Sequence, residues 1–104
     1  MNFMKITHDL HTHTLHSSCC YDPDATISGF IDKAAELSHN IIGISNHVWD
    51  ETVPGSSQWY RGQTINYVLE GKYAIPENTH GIKVLFGCES EYCGTAFYAV
   101  CLSK

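Results

Sequence analysis

Four residues in this chain have the types and spacing to hold a divalent cation: His11, His13, His47 and Glu89. Residues i and i+2 of an extended segment point to the same face. The imidazoles of His11 and His13 can therefore converge on one ion, at roughly 2.0–2.1 Å per zinc–nitrogen bond. A carboxylate such as that of Glu89 can bridge two ions, which a neutral imidazole cannot. Nitrogen and oxygen donors together suit zinc, manganese or iron better than calcium or magnesium, and such ions acidify water at an open coordination position. Each residue taken singly also has an ordinary explanation. His-x-His pairs occur by chance on surfaces, a single histidine often caps a helix, and a single glutamate is usually a solvated charge. Glu91, two residues on, is a ready confusion for Glu89. What separates the readings is where the surrounding elements place all four.

Those elements alternate. Residues 4–10 read as a short strand leading into His11 to Thr14, followed by a turn-prone stretch ending in Asp22-Pro23-Asp24. Ile27, Phe30, Ile31, Ala34 and Leu37 recur at helical spacing, predicting an amphipathic helix over 26–38 with Thr26 or Asp24 as its N-cap. The uninterrupted apolar run 41–45 fits a strand buried on both faces, and Asn46-His47 closes it. A polar loop over 48–62 carries Trp59-Tyr60, a pair suited either to covering a site or to anchoring the loop. Residues 63–74 predict a second helix with Ile65, Val68, Leu69 and Tyr73 on one side, ended by Pro76. Residues 83–88 predict a third strand, and 95–102 fit a further one. The order β-α-β-α-β argues for an α/β fold with a parallel sheet and right-handed crossovers. In such a sheet the C-terminal strand ends share one edge, where α/β folds build their sites. His11 and His13, His47 and Glu89 end three successive strands.

Other polar residues carry less. His8 reads as a structural histidine sharing a face with Leu10, and His16 is open to substrate contact from the adjoining loop. His39 and His80 fall in turns before strands, where solvated side chains are expected. Cys88 alternates with Glu89 and is expected to face into packing.

Composition bounds the function. The chain has 104 residues, 43% of them hydrophobic and 16% charged, as expected of an ordinary globular domain. Its formal charge is −5, and no Lys/Arg cluster occurs, so nucleic acid is an unexpected partner. An anionic substrate fits only if bound cations reverse the sign locally. No apolar run reaches the roughly 18 residues that span a bilayer, and residues 1–8 lack a signal-peptide pattern. Five cysteines at 19, 20, 88, 93 and 101, without framework spacing, fit a reducing compartment. The cytoplasm is the expected location.

Asp9-Leu10-His11-Thr12-His13-Thr14, Ile42-Gly43-Ile44-Ser45-Asn46-His47 and Leu85-Phe86-Gly87-Cys88-Glu89 resemble the first three motifs of the PHP (polymerase and histidinol phosphatase) superfamily. The resemblance runs from residue 5 to about 94, in matching order and spacing. It implies the first three β/α units of a distorted seven-stranded TIM-like (β/α) barrel, truncated, so that 1–104 is a partial domain with 95–104 an atypical tail. It also implies up to three divalent ions in the complete domain: His11 and His13 on one, Glu89 bridging to a second, His47 on a third. Asp9 would orient an imidazole. Two positions depart from the pattern. Cys19 stands where many members have a histidine, and a thiolate there can also ligate zinc. Asn46 replaces an aspartate, keeping hydrogen-bonding capacity without the charge.

The function implied is hydrolysis of a small phosphate monoester by metal-activated water, of the histidinol-phosphatase type; no residue is assigned as general acid. A PHP-type exonuclease linked to polymerase proofreading is the alternative. A third reading is an inactive metal-binding fragment that needs the rest of the barrel and self-associates through open sheet edges.

Overall fold

Residues 4–91 are described here from a computed structural model. The elements are β1 (His8–Thr12), α1 (Ile27–Glu36), β2 (Ile41–His47), the short α2 (Gln58–Arg61), α3 (Ile65–Tyr73) and β3 (Lys83–Glu89). The three strands form one parallel sheet in the order β1-β2-β3. The segment 95–102 lies outside the described residues.

Local chemistry accounts for the helix starts. The Thr26 hydroxyl accepts the Gly29 amide at 3.0 Å, and the Thr64 hydroxyl accepts the Tyr67 amide at 3.2 Å, each relieving an unpaired first-turn donor. α1 buries Ile27, Ile31 and Ala34 against Ile42 and Ile44 of β2 and against Ile82, with Val84 and Phe86 of β3 packed alongside. Full burial of each of these isoleucines contributes about 1.5–3 kcal/mol. α3 covers the same face of the sheet: its Gly71 lies against the Phe86 ring, where an added Cβ would come within 3.5 Å. Val68 is buried, but Tyr73, expected on the packed side of this helix, is 83% exposed.

β2 is central, and its apolar run is covered as expected of an interior strand. The barrel expectation is corrected. The described residues form an open three-stranded sheet, with one edge of β1 and one edge of β3 unpaired among them. Barrel closure requires tilt and shear accumulated over about eight strands, whereas neighbouring strands rotate by only about 20–25°. Alternation of strand and helix is met equally by an open sheet, and the barrel rested on the motif resemblance alone. No helix among the described residues is long and apolar enough to cross a membrane.

The register of β1 holds the feature on which the site depends. Asp9 pairs with Ile42, but Thr12 pairs with Ile44, so β1 carries one extra residue between these two pairs. An extra residue reverses the faces of everything beyond it. Without it, His11 would pair with Ile44 and point toward the helix-covered face. With it, Thr12 and Thr14 take that face, while His11 and His13 pass to the face of His47. The β2–β3 register is regular and sets His47 directly opposite Glu89.

Gly43 makes room for the irregularity. A Cβ there would lie 2.7 Å from the Leu10 carbonyl oxygen and 3.0 Å from Leu10 Cα, closer than real Cβ contacts come. The Thr12 hydroxyl donates to the Gly43 carbonyl at 2.7 Å and fastens the bulged segment to β2. Replacing Gly43 by Ala therefore forces β1 backbone away from β2, at a cost of about 1–3 kcal/mol. Gly87→Ala, where the nearest atom would be 3.9 Å from the new Cβ, should change stability by no more than about 0.5 kcal/mol. Urea unfolding of both variants checks this, and equal losses would contradict the role given to Gly43.

Candidate metal centre

Beyond the extra residue of β1, the imidazoles of His11 and His13 meet the Glu89 carboxylate at the C-terminal edge of the sheet. His11 Nε2 lies 3.0 Å from His13 Nε2, and both nitrogens lie 3.1 Å from Glu89 Oε2. His47 Nε2 approaches the same oxygen at 3.8 Å. All four residues expected to share one rim are thus together. The side chains grade from His11, 64% exposed, to His13 at 20% and His47 at 14%, so the cluster opens to solvent on the His11 side.

With Glu89 as a carboxylate, no pair of imidazole tautomers satisfies the triangle of His11 Nε2, His13 Nε2 and Glu89 Oε2. If both imidazoles donate from Nε2 to the carboxylate, the two N–H groups confront each other across 3.0 Å. If either Nε2 is bare, its lone pair faces the carboxylate oxygen at 3.1 Å. One cation resolves the conflict, because all three lone pairs then point at a positive charge. Three donors held tetrahedrally by a zinc-sized ion stand roughly 3.3 Å apart, close to the spacing here. His47 adds a second sign of fit: its buried Nδ1 has no hydrogen-bond partner among the described residues, a costly state for a polar atom. The residues present therefore fit a divalent cation.

Ser17, which the sequence reading passed over as part of a turn, holds this arrangement from behind. It is 2% exposed, and its hydroxyl meets His13 Nδ1 at 3.2 Å, the His47 amide at 3.3 Å and Cys19 Sγ at 3.4 Å. A hydroxyl has two acceptor sites and one proton. If His13 Nδ1–H and the His47 amide fill the acceptor sites, the hydroxyl proton is left for the Cys19 sulfur. That tautomer leaves His13 Nε2 bare toward the cluster, the state a metal ligand needs.

Two further buried amides lock the loops that carry these groups. Asn46 Oδ1 accepts the Thr14 amide at 2.7 Å, and its Nδ2 donates to the Thr14 hydroxyl at 2.9 Å. Asn46 therefore lies on the helix-covered face and spends its amide on Thr14. Gln63 Nε2 donates to the carbonyls of His16 at 2.8 Å and His47 at 2.9 Å, while its Oε1 accepts from the Ser18 amide. Neither residue has a sequence signal beyond being an amide. The bulge did have one: a lone glycine, Gly43, in a strand pattern marks close backbone approach.

Trp59 and Tyr60 wall the site on the His47 side, their rings 4.9 and 5.8 Å from the His47 ring and 4.6 Å from each other. Tyr60 also packs on buried Trp49 and donates its hydroxyl to Glu91 at 2.6 Å. The pair thus anchors the loop and borders the site at once. Glu91 is engaged there.

Several expectations need correction. Asp9 accepts the backbone amide of His11 at 3.2 Å, and among the described residues its carboxylate makes no hydrogen bond to an imidazole. His16, whose reading needs no correction, packs on the Tyr67 ring, 5.3 Å away, beside α3. His8 is exposed on the outer strand, as is Leu10. Cys88 falls on the face of Val84 and Phe86, but β3 ends the described sheet, so the residue is exposed. Cys19, by contrast, belongs to the site: its sulfur and one donor atom each from His13 and His47 lie within 4.8 Å of one another.

Burial, then the neighbouring His47, holds the His13 imidazole below its ordinary value, with Glu89 opposing. The folded chain therefore resists protonating His13 more than the unfolded chain does. The stability this represents is present above the unfolded value, about 6.5, and is lost as pH falls through the folded one. Metal-free protein should lose more stability between about pH 7.5 and 5 than His13→Gln does. Urea titrations in chelator across that range would show parallel pH dependence if this were wrong.

Comparison with known proteins gives one informative match. The chain is 32% identical over 89 residues to a protein of Clostridium acetobutylicum named "Probable phosphatase". The match covers 85% of this chain and 31% of that protein, so the chain spans about a third of the length of its curated relative. No protein-family profile matches the chain, and no solved structure matches it significantly.

Proposed function

We propose that this chain carries the metal-holding part of a divalent-metal-dependent phosphoesterase acting on a small phosphate monoester. The observation that carries the proposal is the meeting of His11 Nε2 and His13 Nε2 on one oxygen of Glu89, at 3.1 Å each. The relative named a phosphatase supports it independently.

His11, His13 and Glu89 would hold one cation, with His47 beside them. Bound divalent cations supply Lewis acidity toward a phosphoryl oxygen and acidify water at neutral pH. The chain's own residues supply placement. Ser17 would accept a proton held on His13 Nδ1, which leaves Nε2 to donate its electron pair. Trp59 and Tyr60 exclude water along one wall. The open side at His11 admits a compact anion. Electrostatics require the cation: neutral histidines and one carboxylate sum to a single negative charge, in a chain of formal charge −5. One divalent ion reverses that sign locally and makes a phosphate dianion welcome.

The finer reading, a phosphatase of the histidinol-phosphatase type within the PHP superfamily, rests on the three sequence motifs. It is preferred over a nuclease because the chain has no Lys/Arg cluster to follow a polynucleotide backbone.

The test combines metal content with turnover. After loading with zinc or manganese and dialysis, the chain should retain metal and release phosphate from an aryl phosphate, and chelation should stop the release. His13→Ala should weaken metal retention at least about tenfold, and His39→Ala should not. Equal retention by the two variants would reject the ligand assignment. Retained metal without phosphate release would reject the hydrolytic part and leave a metal-binding protein.

A further inference from the structure

Resting on the phosphoesterase reading above, we infer that Trp59 selects the substrate. Its indole receives the organic group of the phosphate ester, and that group is flat, apolar and uncharged. What carries this is an exposed indole held against the metal centre, with neither neighbouring ring lying flat on it.

Trp59 and Tyr60 adjoin in sequence but differ in their surroundings. Tyr60 packs on Trp49 and gives its hydroxyl to Glu91 at 2.6 Å, so it anchors the loop. Trp59 is 40% exposed. Its ring meets His47 at 69° and Tyr60 at 83°, with centroids 4.9 and 4.6 Å away. These two steep contacts fix the plane of the indole without stacking on it. Among the described residues no hydrogen bond engages its N–H, whereas the Trp49 indole donates to the Val53 carbonyl at 3.0 Å. Trp49 is satisfied core; Trp59 is open surface.

The indole is also held in place before any ligand arrives. The Ser18 hydroxyl donates to the Trp59 carbonyl at 3.1 Å, and Gln63 ties the same loop to the His16 and His47 carbonyls at 2.8 and 2.9 Å. A surface fixed in advance loses little freedom when it binds.

Its position suits the ester group. The His13 and His47 rings stand 4.7 Å apart, and Trp59 follows at 4.9 Å from His47. One imidazole's width thus separates the indole from His13. A phosphate seated at His11, His13 and Glu89 with its ester oxygen toward His47 brings its organic group to the indole, which favours flat partners in offset or edge contact. Charge narrows the choice. A second anionic group is disfavoured on a chain of formal charge −5. An ammonium group is the rival partner for an indole face, but the Glu91 carboxylate at this wall already accepts the Tyr60 hydroxyl.

Three non-hydrolysable phosphonates separate these readings: naphthylmethyl-, methyl- and 2-aminoethylphosphonate, titrated by calorimetry into the zinc-loaded chain. The naphthyl compound should bind at least about tenfold more tightly than the methyl compound, and Trp59→Ala should bring that ratio to within about twofold of unity. Trp59→Phe, which keeps an aromatic face, should retain most of the preference. The naphthyl compound should also quench the tryptophan emission of the unmodified chain. Trp59→Phe leaves Trp49 as the other tryptophan and should lose that response, a readout that holds even if the Ala variant does not fold. Three results overturn the assignment of Trp59 and leave the phosphoesterase reading standing: equal binding of the naphthyl and methyl compounds, a preference that survives Trp59→Ala, or tighter binding of the aminoethyl compound than the naphthyl. Zinc retained with no phosphonate bound overturns the phosphoesterase reading, and this inference with it.

Discussion

One extra residue in β1 governs this structure. A parallel sheet has a strict two-residue period, so the face on which a side chain emerges is fixed by register. Asp9 facing Ile42 and Thr12 facing Ile44 shift that register once. Before the shift, β1 follows the plain alternation; after it, His11 and His13 stand on the face of His47 and Glu89. The shift is possible because position 43 has no Cβ to collide with the Leu10 backbone. A glycine in a buried apolar strand forfeits packing and backbone entropy, and here that loss allows three strands to deliver their polar ends to one place.

The consequence is electrostatic. Two imidazole nitrogens and a carboxylate oxygen stand 3.0–3.1 Å apart, and with the carboxylate ionised no choice of imidazole tautomers suits all three contacts. Such an arrangement persists only when surrounding structure enforces it. The enforcing contacts are visible: Ser17 behind His13 and His47, the Asn46–Thr14 pair clamping the turn after β1, and Gln63 tying the loop of Trp59 and Tyr60 to the same carbonyls. The helices contribute indirectly, by burying Ile42 and Ile44 and so fixing β2 as the reference strand. Packing on one face thus holds chemistry on the other.

Much of this was legible in the sequence. Helical periodicity located α1, whose Thr26 cap was among those expected, and the apolar run located β2. That His11, His13, His47 and Glu89 meet at one edge followed from strand-end placement and from motif resemblance. What the sequence concealed was long-range. Thr14, Ser17, Asn46 and Gln63 are common polar residues whose roles depend on partners as far as 47 positions away. Strand exposure was concealed too: Leu10 and Leu85 are 54% and 43% exposed because the described sheet is open, whereas a barrel would have covered that face. Motif order could not distinguish the two architectures, since the local β-α-β units of each are the same.

The most direct test of the central claim is anomalous diffraction at the zinc edge from crystals of the chain grown with zinc. A peak bonded to His11 Nε2, His13 Nε2 and a Glu89 oxygen is the result expected. Zinc bound elsewhere, with His11 and His13 on the α1-covered face of the sheet, would contradict it.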